Sequence, residues 1–164
     1  MSSEVVEVDG ADEARRRIMA LPKVASKAMR EAAREIVDDE VPRIKRAAAG
    51  DRVSQLVAGA IRTRSDRFPT IVAGGSRKLA PSRKIHRSRT DKTKSGRGKL
   101  VKPSAGELFF GAEFGGRRRK TTQQFRAHKG KDGYWFWPTL RADAERIGDQ
   151  WVGAIDQVEK EFTS

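Results

Sequence analysis

The segment from residue 138 to residue 162, PTLRADAERIGDQWVGAIDQVEKEF, has the clearest helical pattern in the chain. Its apolar residues recur at alternating steps of four and three, which is the spacing of one helix face. These residues are Leu140, Ala144, Ile147, Trp151, Ala154, Val158 and Phe162. Proline suits the first turn of a helix because its missing N–H would have no intrahelical partner there. The pattern predicts a long C-terminal helix that Pro138 opens, capped by Thr139 or by the residue before Pro138.

Four aromatic residues, Tyr134-Trp135-Phe136-Trp137, precede this helix. Aromatic residues favour strands, so we predict the last strand of a sheet here. Alternation then puts Tyr134 and Phe136 on one face and Trp135 and Trp137 on the other. One face would pack on helices. The other aromatic face would then have to be buried by another molecule, and a neighbouring subunit is favoured over nucleic-acid bases stacked on the rings.

Further strands are predicted upstream of the aromatic run. The apolar segment 108–114, followed by Gly115-Gly116, predicts a buried strand, with Phe114 buried and the glycines free to adopt backbone conformations closed to other residues. Segments 61–64, 68–73 and 123–127 are also predicted as strands.

The N-terminal part has helical patterns. Asp12 is predicted to cap a short helix, and Pro22 to lie in the first turn of a longer one that Pro42 bends or restarts. Asp51 is predicted to cap a third helix through Ala60. Helices, then strands, then one helix indicate the α+β class, a small antiparallel sheet covered by helices. We expect a flexible arm at 1–10 and one domain at 11–164 with a basic loop insertion at 76–103.

The 164 residues carry a net charge of +13 and include no cysteine, which excludes disulfides and thiolate metal sites. Residues 76–102 hold eleven Lys or Arg and one acid, and residues 117–131 hold seven and none. Such segments favour anionic partners. Segment 76–102 has almost no large apolar residue and fits three roles: a solvated loop, an arm that folds on a neighbouring subunit, or a DNA-binding arm.

The basic loops are therefore the candidate contact sites for a subunit or for DNA. Their residues are Arg77, Lys78, Arg83, Lys84, Arg87, Arg89, Lys92, Lys94, Arg97, Lys99, Arg117, Arg118, Arg119 and Lys120.

The sequence offers little for catalysis or metal binding. The two histidines, His86 and His128, lie in basic segments without further ligands at suitable spacing. The acids Asp38-Asp39-Glu40 fit the solvated face of a helix. We therefore predict no enzyme, no metal and no cofactor. The N-terminus does not have the pattern of a signal peptide, and no apolar run is long enough to span a membrane.

Three stretches resemble a phage protein family. They are residues 111–116 (GAEFGG), Gln124-Phe125 with His128, and residues 133–141 (GYWFWPTLR). The resemblance is to the tail-component or neck family of long-tailed phages, related to the minor tail protein Z of lambda-like phages. It is strongest over residues 105–162, about a third of the chain, and segment 76–102 does not map onto it. The motif residues are Glu113, Phe114, Gly115, Tyr134, Trp135, Phe136, Trp137 and Pro138.

The resemblance implies a structural virion protein of the neck or tail that acts in tail completion and head–tail joining. It implies a homo-oligomeric ring around the DNA channel, next to the tail terminator, the head-closure protein and the major tail protein, with contact to genomic DNA left open. The protein would lie in the host cytoplasm during assembly and in the virion afterwards, with no membrane partner. The alternative is a basic nucleic-acid-binding protein without catalysis.

Overall fold

A computed structural model of the chain describes residues 11–79, 103–116 and 125–163. The predicted arm at 1–10 and most of the basic insertion lie outside these residues. The described part contains five α-helices and one two-stranded antiparallel sheet. The helices are α1 (Ala11–Ala20), α2 (Ser26–Ala47), α3 (Arg52–Ala58), α4 (Ala105–Phe114) and α5 (Phe136–Thr163), and the strands are β1 (Arg62–Thr63) and β2 (Ile71–Val72). Among these helices, none is long and apolar enough to cross a lipid bilayer.

The fold class is α+β, as predicted, with more helix than the sequence pattern indicated. The predicted strand at 108–114 is wrong, because these residues belong to α4. A capping box begins this helix: the Ser104 Oγ accepts a hydrogen bond from the Glu107 N–H, and the Ser104 N–H donates to the Glu107 carboxylate at 2.6 Å. Periodicity cannot distinguish a short apolar strand from a buried helix, so the upstream Ser-x-x-Glu signal decides the structure.

The predicted aromatic strand is also wrong. Phe136 and Trp137 form the first turn of α5, and Tyr134 and Trp135 lie in the bend before it. The described part of the predicted strand at 123–127 forms a single bridge, between Ala127 and Gly116. The sheet with two aromatic faces is therefore replaced by a helix start, for which the capping groups are described below.

The N-terminal predictions have mixed outcomes. Asp51 caps α3, since its Oδ2 accepts a hydrogen bond from the Ser54 N–H at 2.8 Å, and β1 and β2 fall within the predicted strand segments. Asp12 lies inside the first turn of α1 rather than before it. Pro22 precedes a short 3₁₀ turn that leads into α2, and α2 continues unbroken through Pro42. Burial of Val41 and Ile44 on either side offsets the backbone hydrogen bond that proline removes.

The described residues divide into two compact units. Unit 1 comprises residues 11–41, 63–71 and 140–163, and unit 2 comprises residues 42–62, 72–79, 103–116 and 125–139. In unit 1, the apolar faces of α1, α2 and α5 form one core around Ile18, Met29 and Ile155. Trp151, on the predicted stripe of α5, also lies in this core, and the Phe68 ring packs on it at a centroid distance of 6.3 Å. Each large side chain buried here contributes about 1.5–3 kcal/mol.

Polar contacts add to unit 1. The Arg17 guanidinium donates to Asp156 and Glu159 of α5, both at 2.5 Å. These hydrogen bonds raise the pKa of Arg17 and lower that of Glu159. The predicted solvated face at 38–40 is wrong for Glu40, which is fully buried and accepts a hydrogen bond from Arg146 at 2.6 Å, because its side chain faces α5.

Unit 2 has its own core, in which α3 packs against α4. The buried residues include Ile44, Val57, Leu108, Phe109 and Trp135. This unit contains every residue of the candidate motif.

Candidate functional site

The carboxylate of Glu113 is the centre of the motif. This residue lies in the last turn of α4 and is fully buried. Its Oε2 accepts hydrogen bonds from the Trp135 N–H at 3.2 Å and the Phe136 N–H at 2.9 Å, and its Oε1 accepts one from the Trp137 N–H at 3.0 Å. One side chain therefore holds three consecutive backbone donors that lie 22 to 24 residues away in sequence.

These three donors are the ones that a helix start leaves without intrahelical partners. The first four N–H groups of a helix have no acceptor within it, and the next residue, Pro138, has no N–H. Glu113 thus satisfies the whole first turn of α5, where a negative charge also interacts favourably with the helix dipole. The predicted cap is wrong: the Thr139 Oγ1 instead donates to the Trp135 carbonyl at 2.7 Å.

Two glycines, Gly115 of the motif and Gly133 next to it, make this arrangement possible. Gly133 has φ +73°, and a Cβ there would overlap the Glu113 carboxylate. Gly115 ends α4 with φ +76°, and a Cβ there would overlap the backbone of Ala127. As predicted for the glycine after Phe114, Gly115 adopts a backbone conformation that other residues rarely adopt, although it ends a helix rather than a strand and Phe114 is only half-buried.

The aromatic residues next to Glu113 form a buried cluster. Trp135 is 0% exposed, and its indole N–H donates to the Ala112 carbonyl at 3.2 Å. Its ring meets Phe109 edge to face at 6.1 Å, and Phe109 meets Phe136 at 5.2 Å. Edge-to-face pairs at these distances contribute about 0.5–1.5 kcal/mol each beyond their burial. The cluster therefore fixes the start of α5 on α4 and leaves no open face of Trp135 for a ligand.

Tyr134 is covered by cations of its own unit. The guanidinium carbon of Arg126 lies 3.9 Å from the ring centroid, and the Lys129 ammonium lies 5.1 Å from it. Arg126 also donates to the Ser54 Oγ at 3.0 Å, and the Tyr134 hydroxyl donates to the Ala127 carbonyl at 2.7 Å. The face of this ring is thus occupied by cation–π contacts inside the protein.

One aromatic side chain of the neighbouring helix is exposed. Phe110 is 69% exposed and stacks on Phe114, one turn away, with 6.3 Å between the ring centroids. Helix α4 carries apolar residues on all sides, a composition typical of buried helices. Phe110 is therefore the ring of this pair that is open to solvent, while Phe114 is half-buried.

The basic residues predicted as contact sites are described only in part. Arg77 and Lys78 are exposed; the Arg77 guanidinium donates to the Gly59 carbonyl at 3.3 Å, and Lys78 forms a bridge with Ser104. The other twelve lie outside the described residues. His128 is exposed, and its Nδ1 accepts a hydrogen bond from the Gly130 N–H. Within the described ranges, no cluster of His, Asp and Glu could hold a metal ion.

The two units differ in charge. The sequence ranges of unit 1 hold 12 Lys or Arg and 17 Asp or Glu, a net charge of −5, while those of unit 2 hold 23 and 5, a net charge of +18. In the described residues alone, unit 1 has 12 basic and 14 acidic residues, and unit 2 has 10 and 4. The ion pairs of Arg17, Lys27, Arg34 and Arg146 all lie in unit 1.

The role of Glu113 was missed from the sequence, which placed this residue in the predicted strand at 108–114. The signal that could have revealed it is an acid inside the apolar run of residues 108–114, because a charged side chain in such a run needs buried donors. Comparison with protein-family models, with curated proteins and with solved structures gave no significant match to this chain.

Proposed function

We propose that this chain is a non-enzymatic structural protein of a tailed-phage virion. It acts in the neck or tail, in tail completion and head–tail joining, as one subunit of a ring around the DNA channel. The observation that carries the proposal is the contact between Glu113 and the backbone of residues 135–137. The family resemblance depends on a Glu-Phe-Gly element and a distant aromatic-Pro element, and this contact gives both elements one shared structural purpose.

The motif supports a structural role because the polar groups of Glu113 and Trp135 form their hydrogen bonds inside the fold. The carboxylate of Glu113 accepts three backbone hydrogen bonds, and the Trp135 indole donates its own. A catalytic carboxylate needs access to a substrate proton or to the reacting atom. Glu113 is instead fully buried beneath the start of α5.

Phe110 and Phe114 supply a surface for a neighbouring subunit, and we assign this surface to a second copy of the chain. The opposite charges of unit 1 and unit 2 favour a contact between unit 1 of one copy and unit 2 of the next. A contact between two different surfaces of the same protein is head-to-tail, and it generates a ring when the rotation closes.

The test is complementation of a phage from which the gene has been deleted. The deletion is expected to leave filled heads beside unjoined tails, and the wild-type gene should restore infectious particles. Phe110→Asp should fail to restore them, since a charge replaces the exposed aromatic contact. The matched control is Val24→Asp, which changes an apolar residue of equal exposure, 70%, in unit 1. Infectious particles at normal yield from the deletion strain would overturn the proposal.

A second candidate is a basic nucleic-acid-binding protein that works outside any virion. The charge of unit 2 favours it. Mass spectrometry of purified particles separates the two candidates, because a regulator of this kind would be absent from them.

A further inference from the structure

We infer that unit 2 binds the phosphate backbone of double-stranded DNA without reading the base sequence. The inference names a binding partner for the proposed ring. Its evidence is the charge of unit 2 and the burial of the aromatic residues 134–137, and it does not depend on the virion role. The inference and the proposed function can therefore fail separately.

The size of the charge excess identifies a polyanion as the partner. Each copy carries +13 over its full sequence, so contacts between copies in a ring leave an excess of +13 per copy. In the described residues, the positive excess lies in unit 2, which carries +6, while unit 1 carries −2. Such an excess repels like copies unless counterions or a polyanion neutralise it. Duplex DNA carries one charge per about 1.7 Å of axis, so about 22 Å of duplex balances one copy. Protein surfaces usually mix both signs of charge and do not offer this density.

The described cations of unit 2 are largely exposed to solvent. Unit 2 exposes Lys and Arg at the end of α2, at the start of α3, on β1 and after β2. These residues are Arg43, Lys45, Arg46, Arg52, Arg62, Arg77 and Lys78. Long side chains with exposed charged ends contact phosphate oxygens, which position a protein on DNA and carry no sequence information.

The aromatic residues of the motif favour duplex over single-stranded DNA. Binding to single strands depends on aromatic rings on which successive bases stack. Trp135 and Phe136 are buried, and the face of the Tyr134 ring is occupied by Arg126 at 3.9 Å. Tyr134 and Trp137 are half-buried, so the run 134–137 presents no fully exposed ring on which bases could stack. The exposed cations of unit 2 are then its means of binding nucleic acid.

The experiment measures binding of the full chain to a fluorescent duplex of mixed sequence by anisotropy, between about 50 and 200 mM salt. We expect a steep fall in affinity with salt, and affinities that agree within about threefold among unrelated sequences. A plot of log K against log salt with a slope shallower than about −2 would overturn the inference, because it corresponds to contact with only about two phosphates. Tighter binding to a single strand of equal length would also overturn it.

Two triple variants with the same loss of charge locate the site. R52Q/R62Q/K78Q removes three exposed cations of unit 2, and R15Q/R16Q/R30Q removes three exposed cations of unit 1. The unit 2 variant should lower the magnitude of the salt slope by up to about 2.7 and weaken binding at least about tenfold at the lowest salt. The unit 1 variant should bind within about twofold of wild type.

Equal weakening by both variants would overturn the assignment to unit 2, since it would indicate a response to net charge. Circular dichroism melting of each variant checks that the fold is intact, and the wild-type salt slope tests the inference if a variant fails to fold. A protein that binds duplex but is absent from particles would keep this inference and overturn the proposed function. If the protein is present in particles but binds an acidic polypeptide such as polyglutamate more tightly than duplex DNA, the proposed function would stand and this inference would be overturned.

Discussion

Unit 1 and unit 2 are stabilised in different ways. Unit 1 buries a periodic apolar face of each of its helices and adds ion pairs that are partly open to solvent, such as Arg17 with Glu159. Unit 2 depends on one buried carboxylate, two glycines with positive φ and an aromatic cluster, and it carries the excess positive charge. Helical periodicity therefore predicted much of unit 1, whereas the structure of unit 2 depends on contacts between residues that are distant in sequence.

The largest effect is expected from Glu113→Ala. This substitution leaves three buried N–H groups without their acceptor, which should lower the free energy of unfolding by about 4 kcal/mol. Urea denaturation measures the change. Glu145→Ala, an exposed acid on α5, is the control and should cost less than about 0.5 kcal/mol. Equal stability of the two variants would show that the start of α5 does not need Glu113.

Ile155→Ala tests the core of unit 1. The side chain is fully buried, so the cavity and the lost burial should cost about 3 kcal/mol. Val152→Ala, on the same helix but 45% exposed, should change stability much less. If both substitutions lowered the free energy of unfolding equally in denaturant, burial on this face of α5 would not be what stabilises unit 1.

Gly133→Ala and Gly130→Ala form a matched pair. Both glycines have positive φ, +73° and +77°, and Gly133 also has ψ 177°, a combination that is essentially restricted to glycine and costs other residues about 1–3 kcal/mol. A Cβ at 133 also overlaps the Glu113 carboxylate, whereas a Cβ at 130 meets open space. Gly133→Ala should therefore lower the melting temperature further, by an extra cost of about 1–2 kcal/mol. Equal losses of stability for the two variants would mean that the backbone at residue 133 moves away from Glu113 without an energetic penalty.

The smallest effect is a pH dependence in unit 1. The hydrogen bond from Arg17 lowers the pKa of Glu159 below its ordinary value of 4.5. A lowered pKa in the folded state stabilises the protein above about pH 4.5, and this stabilisation is lost as the pH falls through the folded pKa. Glu159→Gln should thus reduce the melting temperature slightly at pH 6, and the difference from wild type should shrink below pH 4.5. A difference that is constant down to pH 3 would contradict this.

Features that depend on residues close together in the chain could be predicted from the amino-acid sequence. Trp151 and Val158 of the predicted α5 stripe lie in the core, whereas Phe162 is 36% exposed and the buried Ile155 was not part of the stripe. Asp51 caps α3 as its position indicated. The concentration of excess positive charge in residues 76–102 and 117–131 is likewise a property of the sequence. These features follow from local geometry, because side chains three or four residues apart share a helix face whatever the rest of the chain does.

Features that depend on contacts between residues far apart in the chain are set by the tertiary structure and could not be predicted from sequence spacing. Residues 108–114 and 134–137 are rich in apolar and aromatic side chains that suit a strand or a buried helix equally. The helical state of residues 108–114 and of Phe136 and Trp137 depends on the Ser104–Glu107 capping box and on the Glu113 carboxylate, which accepts hydrogen bonds from donors 22 to 24 residues away. The burial of Glu40 likewise depends on Arg146, 106 residues further along the chain. A buried charge is tolerated where folding brings donors to it, and sequence spacing does not report that distance.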